Sequence, residues 1–258
     1  MALETYSKFN YGHTVTENNN YINFDEGIGE LSAEIDVGSY SLGDFVSAVA
    51  SAMNDVGTQE YDVTLDRATN RITITSISAF DLLIASGTQV NISAFSLMGF
   101  NGADLTGAIT YESDSASGFS YEPQFILQNY VDFEDDVAAA NSTLNQSASG
   151  RVVEVVKYGN VKLMSCDIKY ITDITPQGVI KENATGVSDA RQFMSYCITK
   201  GNLEVVPDID APGTFTKCLL ESTPESRDGT GFVLKELYSR GLTGYFELNR
   251  LKFRKIEG

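Results

Sequence analysis

The chain has 258 residues, of which 42% are hydrophobic and 21% charged, and its formal net charge at pH 7 is −17. These proportions are typical of a globular protein and exclude an intrinsically disordered one. No apolar run reaches the roughly 18 residues that a membrane-spanning helix needs, and no secretory signal is visible, so we expect a protein that folds in a cytoplasm.

The charge is divided unevenly along the chain. Residues 1–150 contain 21 acidic side chains against three basic ones, Lys8, Arg67 and Arg71, whereas residues 151–258 contain 14 acidic and 15 basic side chains. The acidic half repels phosphate groups, so stable binding of nucleic acid is disfavoured. Its charge either keeps a free subunit soluble or forms a surface past which DNA moves.

The first elements after a polar N-terminal arm (residues 1–19) are a hairpin and a helix. Apolar and polar residues alternate on both sides of the turn Asp25–Gly29, as in half-buried strands. Ser41 then caps a helix that ends before Gly57 and has Asp44 in its first turn. The buried stripe of this helix comprises Leu42, Phe45, Val46, Val49, Ala52, Met53 and Val56.

A second hairpin turns at Asp66–Asn70, and a further strand (Phe80–Gly87) and a short helical turn (Ser93–Phe100) follow it. The order of hairpin, helix, hairpin, strand and short helix predicts an acidic α+β domain over residues 20–112. The small polar residues 113–122 predict a linker.

Residues 123–258 form a second, β-rich domain in our interpretation. Strand patterns dominate it, and one helix, capped by Ser188 and ended by Gly201, interrupts them. A second helix or turn is possible at Phe232–Gly241. The predicted fold class is therefore α+β and β-rich, with a hairpin-helix-hairpin domain followed by a strand-dominated domain that has one or two helices.

Candidate catalytic groups lack the partners that catalysis needs. The chain has one histidine, His13, which we place in an exposed loop or an interface and not in a catalytic triad. The acidic groups Asp25/Glu26, Glu134/Asp135/Asp136 and Asp208/Asp210 are interpreted as solvated loop carboxylates, since no apolar wall is evident to raise a carboxyl pKa. The chain is therefore predicted not to be an enzyme.

Metal and cofactor sites are not predicted either. Three cysteines and one histidine without a CxxC spacing do not make a zinc site, and Cys197 and Cys218 are interpreted as buried apolar residues. The oxygen-rich loops lack the spacing of an EF-hand, although a cation that bridges subunits stays possible. We expect no cofactor.

Surfaces for protein partners are the remaining candidates. The N-terminal arm and the C-terminal strand Tyr245–Ile256 could each pair with the sheet edge of a neighbouring subunit. Aromatic residues in the arm and near the junction of the domains are candidate interface anchors, although a core position is the stronger alternative for the second group. The candidates are Tyr6, Phe9, Tyr11, Tyr121, Phe125 and Tyr130.

The runs YINFDEGIGELSAEIDVGSYSLGDFVSAVASAMNDVG, YDVTLDRATNRITITS and LMGFNGADLTG resemble a module of virion proteins of tailed bacteriophages, and the two-part layout is similar to that of distal tail proteins. The resemblance implies a structural virion protein, assembled in the bacterial cytoplasm, that forms a homo-oligomeric ring in the tail tip, baseplate or neck. Its partners would be its own copies and other virion proteins. The alternative is a tail protein that binds a receptor or glycan on the host surface.

Overall fold

The computed structural model describes residues 8–122, 131–139, 142–146, 152–157, 160–171, 193, 202–220, 233–236 and 246–256. In these residues antiparallel strands dominate, and two α-helices accompany them. The expectation of a β-rich α+β fold is confirmed.

The strands and helices fall into two groups along the chain. The first group is β1 (Lys8–Tyr11), β2 (His13–Val15), β3 (Tyr21–Asp25), β4 (Glu30–Glu34), β5 (Gly38–Tyr40), α1 (Leu42–Val56), β6 (Tyr61–Asp66), β7 (Arg71–Leu82), α2 (Phe95–Met98), β8 (Leu105–Glu112) and β9 (Ser120–Tyr121). The second group is β10 (Val131–Ala139), β11 (Ser142–Gln146), β12 (Val152–Lys157), β13 (Asn160–Ile171), β14 (Leu203–Val206), β15 (Thr216–Leu220), β16 (Val233–Glu236) and β17 (Phe246–Lys255).

Helix α1 begins as the sequence predicts. The Oγ atom of Ser41 accepts a hydrogen bond from the main-chain N–H of Asp44 at 3.2 Å, a cap that contributes about 1 kcal/mol to helix stability. The N–H of Gly57 closes the last turn on the carbonyl of Met53 at 2.9 Å. The buried stripe matches the predicted one except for Val56, which is 40% exposed.

A five-stranded sheet packs against α1. Its strand order is β4-β3-β7-β6, and the fifth strand, β8, also pairs with β7. The predicted hairpins are β3–β4 and β6–β7, and both are confirmed. The inward side chains of the sheet join α1 and α2 in one core, in which Ile22, Phe24, Phe45 and Ile74 are 0% exposed.

An eight-stranded sheet contains most of the described second half. Its order is β10-β13-β17-β15-β14-β1-β9, and β16 also pairs with β17. Strand β17 is central, since it pairs with β13 on one edge and with β15 and β16 on the other. The expectation that the C-terminal strand extends to a neighbouring subunit is therefore corrected, because both of its edges are occupied within the chain.

The N-terminal strand β1 belongs to this eight-stranded sheet, although its sequence precedes the acidic half. It lies between β14 and β9, with Phe9 opposite both Val205 and Tyr121. Residues 12–119 are consequently an insertion between two neighbouring strands of one sheet, and we call them the inserted unit. This corrects two expectations: from Lys8 onward the arm is not a free segment, and the 113–122 linker ends in a strand.

Three further expectations on secondary structure are revised. Strand β7 extends to Leu82, so the first three residues of the separate strand predicted at Phe80–Gly87 are the end of β7, and the other five are not in a strand. Strand β8 was not expected, and β16 occupies part of the predicted helix or turn Phe232–Gly241. The helix predicted between Ser188 and Gly201 lies outside the described residues except for Phe193, which is helical and buried.

Candidate functional site

A buried ion pair connects the inserted unit to the eight-stranded sheet. Glu204 on β14 is 0% exposed, and its Oε2 atom accepts a hydrogen bond from Nε of Arg67 at 2.9 Å. Its Oε1 atom accepts a second hydrogen bond from the main-chain N–H of Gly43 at 2.8 Å. Both carboxylate oxygens are thus used by groups of the inserted unit, as a buried charge requires.

The start of α1 favours this carboxylate for two reasons. Gly43 lies in the first turn of the helix, where main-chain N–H groups have no partner within the helix and the helix dipole attracts negative charge. A Cβ atom at Gly43 would lie only 2.8 Å from Arg67 Nη2 and 2.9 Å from Glu204 Oε1, so a side chain here would have to displace one of these two groups. In the same turn, Lys217 on β15 forms an ion pair with Asp44.

The turn between β6 and β7 makes further contacts at the junction between the inserted unit and the eight-stranded sheet. The guanidinium carbon of Arg67 lies 3.6 Å from the ring centre of Phe215, a cation–π contact. Lys8 on β1 is 3% exposed and donates to the carbonyl oxygen of Ala68 at 2.7 Å. Burial lowers the pKa of the Lys8 ammonium group, and the opposing effect of Glu122, 3.7 Å away, is smaller.

One neutral contact continues the junction, and a second lies within the inserted unit. Nδ2 of Asn70, a residue in the left-handed conformation (φ 56°), donates to Oδ1 of Asn10 at 3.1 Å. Nε2 of His13 and Oγ of Ser117 lie 2.9 Å apart, and the His13 ring is 4.6 Å from that of Phe45. His13 is 8% exposed, which corrects the expectation of an exposed loop or interface position.

Three of the predicted interface anchors are core residues. Phe9 and Tyr11 are 0% exposed and Tyr121 is 2% exposed. Their rings surround Phe193, whose centre lies 4.9 Å from Phe9 and 4.6 Å from Tyr121. The expectation that Phe9 and Tyr11 contact a neighbouring subunit is corrected, because their own chain covers them, and for Tyr121 the core alternative is confirmed. The other three candidates, Tyr6, Phe125 and Tyr130, lie outside the described residues.

The candidate carboxylates whose side chains are described accept hydrogen bonds from main-chain N–H groups in turns. Oδ1 of Asp25 accepts hydrogen bonds from the N–H groups of Gly27 and Gly29, and Oδ1 of Asp208 accepts one from Asp210. Glu134, Asp135 and Asp136 lie on strand β10 and not in a turn, which corrects that part of the interpretation. Among the described residues, no group of three or more His, Cys, Asp or Glu side chains could hold a metal ion.

The junction residues Lys8, Arg67 and Glu204 were missed at the level of sequence. One signal was available for two of them: Lys8 and Arg67 are two of the three cations among the 150 residues of the acidic half, and both are at the junction. No comparable signal marks Glu204. The arrangement is a clamp that fixes the inserted unit on one face of the eight-stranded sheet.

Comparison with models of protein families gives no match for this chain, and neither does comparison with curated proteins. In the part of the chain that the structure describes, no helix has the length and apolar character needed to cross a membrane.

Proposed function

We propose that the chain is a structural virion protein of a tailed bacteriophage, which oligomerises as a ring in the tail tip, baseplate or neck and joins neighbouring virion proteins. Its sequence resemblance to a phage virion module supports this function. The structural observation that carries the proposal is that exposed apolar side chains occur on two separate surfaces with different charge. We call them the acidic surface and the basic surface.

The acidic surface lies on the face of the five-stranded sheet that is turned away from α1. Ile77 on β7 is 75% exposed there, and it lines a shallow groove together with Glu60 and Asp62. Asp62 lies opposite Thr75 in the β6–β7 register, and both alternate with buried side chains of their strands. An exposed isoleucine with two carboxylates beside it suits an apolar contact with a cationic rim.

The basic surface lies on the eight-stranded sheet, on the face that also carries the inserted unit. Leu219 is 37% exposed and lies opposite Arg254, while Ile256 is 38% exposed and follows it on the same face. Lys252 is the next outward residue of β17, between the buried Leu251 and Phe253. In the strand register, Glu134 and Asp136 of β10 occupy the same rows as Lys252 and Arg254, at the edge of the sheet.

A ring of three or more identical subunits needs two different surfaces on each subunit that fit each other. The acidic and basic surfaces meet this requirement in charge, and each has an apolar centre. Contacts of this kind bury apolar area and gain specificity from the opposite charges at the rim.

The test measures the mass of the purified protein over a range of concentrations by size-exclusion chromatography with light scattering, and examines particles by electron microscopy. We expect a closed oligomer. The double variant Lys252→Glu/Arg254→Glu should weaken it at least tenfold, and so should Glu60→Lys/Asp62→Lys, whereas the four changes together should restore part of the association.

The control is Glu17→Lys/Asp55→Lys, which makes the same change of charge at exposed positions of the inserted unit outside the acidic surface and should leave the mass unchanged. Circular dichroism checks that each variant is folded. A protein that stays monomeric at every concentration and is absent from particles would contradict the proposal. Binding to a glycan array or to host cells by such a monomer would support the alternative, a receptor-binding or glycan-binding tail protein.

A further inference from the structure

The inserted unit and the eight-stranded sheet have separate apolar cores. The core of the unit consists of residues between Val15 and Tyr111, and no described residue of the eight-stranded sheet belongs to it. On the sheet, Phe9 and Tyr11 pack around Phe193. Because neither core continues through the junction, the two parts could separate and leave both cores buried.

The sheet face under the inserted unit is polar. In the strand register Asn10, Glu204 and Lys217 lie side by side on β1, β14 and β15, and Lys8 is the next residue of β1 on this face. Val206, opposite Lys8, is the apolar exception. The reverse face of β1 and β14 carries apolar and aromatic side chains that are 0% exposed, namely Phe9, Tyr11, Leu203 and Val205. A permanently covered face is normally apolar, whereas water can solvate most of this one.

The junction also leaves buried hydrogen-bonding groups unused. Asn10 is 0% exposed and Asn70 is 1% exposed, and one hydrogen bond joins their side chains. Among the described residues, Nδ2 of Asn10 and Oδ1 of Asn70 have no partner. Water would satisfy both atoms if the unit moved away. The ion pair of Arg67 and Glu204 adds little to closure, because the loss of hydration offsets most of the attraction between buried ions.

The remaining attraction across the junction is electrostatic. The inserted unit contains 15 acidic and two basic side chains. On the sheet it meets Lys8 and Lys217, and Lys217 forms an ion pair with Asp44. The range of such attraction falls from about 10 Å at 0.1 M salt to about 3 Å at 1 M. Salt should therefore favour separation of the two parts.

We propose that the inserted unit is a reversibly docked module, which swings away from the eight-stranded sheet as a rigid body while both cores stay intact. The chain passes between the two parts at residues 11–12 and 119–120. These two crossings are adjacent, since the N–H of Tyr11 donates to the carbonyl oxygen of Phe119 at 2.8 Å. A glycine lies at each of them, Gly12 and Gly118 (φ 70°), so the two crossings together can act as one hinge.

This inference goes beyond the proposed function and does not depend on it. It concerns a movement within one chain, which occurs equally in a monomer and in an oligomer. In a ring, the movement would let identical subunits meet their neighbours at different angles.

Acylation of Lys8 measures the opening in the full-length protein. The side chain of Lys8 is 3% exposed when the unit is docked and becomes accessible when the unit leaves the sheet. Cys218 faces the reverse side of the sheet and is 0% exposed, so it should stay protected. We expect acetic anhydride to label Lys8 at least tenfold faster in 1 M than in 0.1 M sodium chloride, relative to the partly exposed Lys252, with no change in iodoacetamide labelling of Cys218. Mass spectrometry of the digested protein reads both.

A charge reversal tests the junction without added salt. Lys217→Glu replaces the ion pair with Asp44 by two like charges and places a second carboxylate beside Glu204, so Lys8 labelling should rise at least tenfold in 0.1 M salt. The matched control Lys162→Glu, exposed on β13, should behave as the wild type does. In 1 M salt the wild type and Lys217→Glu should converge, because salt screens the introduced repulsion.

Two results would overturn this proposal. If neither salt nor Lys217→Glu changes the labelling of Lys8, the unit stays docked on the sheet. If Cys218 becomes reactive together with Lys8, the sheet itself unfolds and the unit has no separate opening.

Discussion

The buried carboxylate of Glu204 accepts a hydrogen bond from the main-chain N–H of Gly43 at 2.8 Å, although 161 residues separate the two in the chain. The contact joins the middle of the eight-stranded sheet to the first turn of α1. Because Glu204 is fully buried, water cannot replace a lost partner. The orientation of the inserted unit on the sheet therefore depends on this carboxylate.

Removal of this carboxylate should destabilise the protein strongly. We expect Glu204→Ala to lower the free energy of unfolding by about 3–5 kcal/mol, because Arg67 and the Gly43 N–H lose their partner. Glu204→Gln keeps an acceptor for Gly43 and should cost less. Urea unfolding followed by circular dichroism measures both, with Asp210→Ala, an exposed loop position, as the control. A loss below about 1 kcal/mol for Glu204→Ala would contradict the role assigned to it.

The pH dependence of stability should have a contribution from Glu26. Burial raises the pKa of this carboxyl, but hydrogen bonds from Thr58, Tyr61 and Gln59 outweigh burial and hold the pKa below its usual value. A depressed pKa in the folded state gives stability that is present above the unfolded-state value, about 4.3, and is lost as the pH falls below it.

We therefore expect the melting temperature of the wild-type protein to fall more steeply between pH 5 and pH 3 than that of Glu26→Gln. Glu17→Gln, at an exposed position, serves as the control for the loss of one charge. Differential scanning calorimetry over this range makes the comparison. Parallel curves for the wild type and Glu26→Gln would show that the Glu26 hydrogen bonds do not depend on its ionisation.

Two glycines with the same backbone conformation should respond differently to alanine. Gly99 (φ 83°) and Gly102 (φ 93°) are both left-handed, so a side chain is strained at either position. A Cβ atom at Gly99 would lie 2.2 Å from the carbonyl oxygen of Ser115, whereas at Gly102 it would meet open space. We expect Gly102→Ala to cost about 1 kcal/mol and Gly99→Ala about 1–3 kcal/mol more, measured by urea unfolding. Equal losses would mean that the 115–116 segment moves aside at no cost.

The thiol of Cys218 should be unreactive in the folded protein. It is 0% exposed on β15, and burial raises its pKa, so the nucleophilic thiolate is suppressed. We expect iodoacetamide at pH 8 to label Cys218 at least a hundredfold more slowly in buffer than in urea. Mass spectrometry of the digested protein distinguishes it from Cys166 and Cys197. Similar rates in the two conditions would show that β15 opens readily.

The sequence predicted the elements that depend on neighbouring residues. The Ser41 cap, the stripe of α1 and the turns at Asp25–Gly29 and Asp66–Asn70 are set by contacts within a few residues, and they were correct except for Val56 in the stripe. Strand β8 was missed because apolar and polar residues alternate only weakly along it. Two of its inward positions stay exposed at the sheet edge, and Gly107 interrupts the pattern.

The junction was not predictable from local patterns. Phe9 and Tyr11 occur in a polar segment, and only the pairing of β1 with β14, nearly two hundred residues later, makes them core residues. Glu204 lies between two apolar residues, as a solvent-facing residue of an ordinary strand would. Its burial follows from the inserted unit that covers it. The expected interface anchors were assigned from their aromatic side chains and their positions along the chain, which contain no information on which segments meet.

The position of β1 also has a consequence for synthesis on the ribosome. Phe9 is translated long before its partner Val205, and the whole inserted unit emerges between them. The unit contains its own core and can collapse early, but β1 must stay unpaired on its β14 side until that late strand leaves the exit tunnel. Completion of the large sheet is thus a late event, and chains halted before residue 203 leave the β14 edge of β1 unpaired.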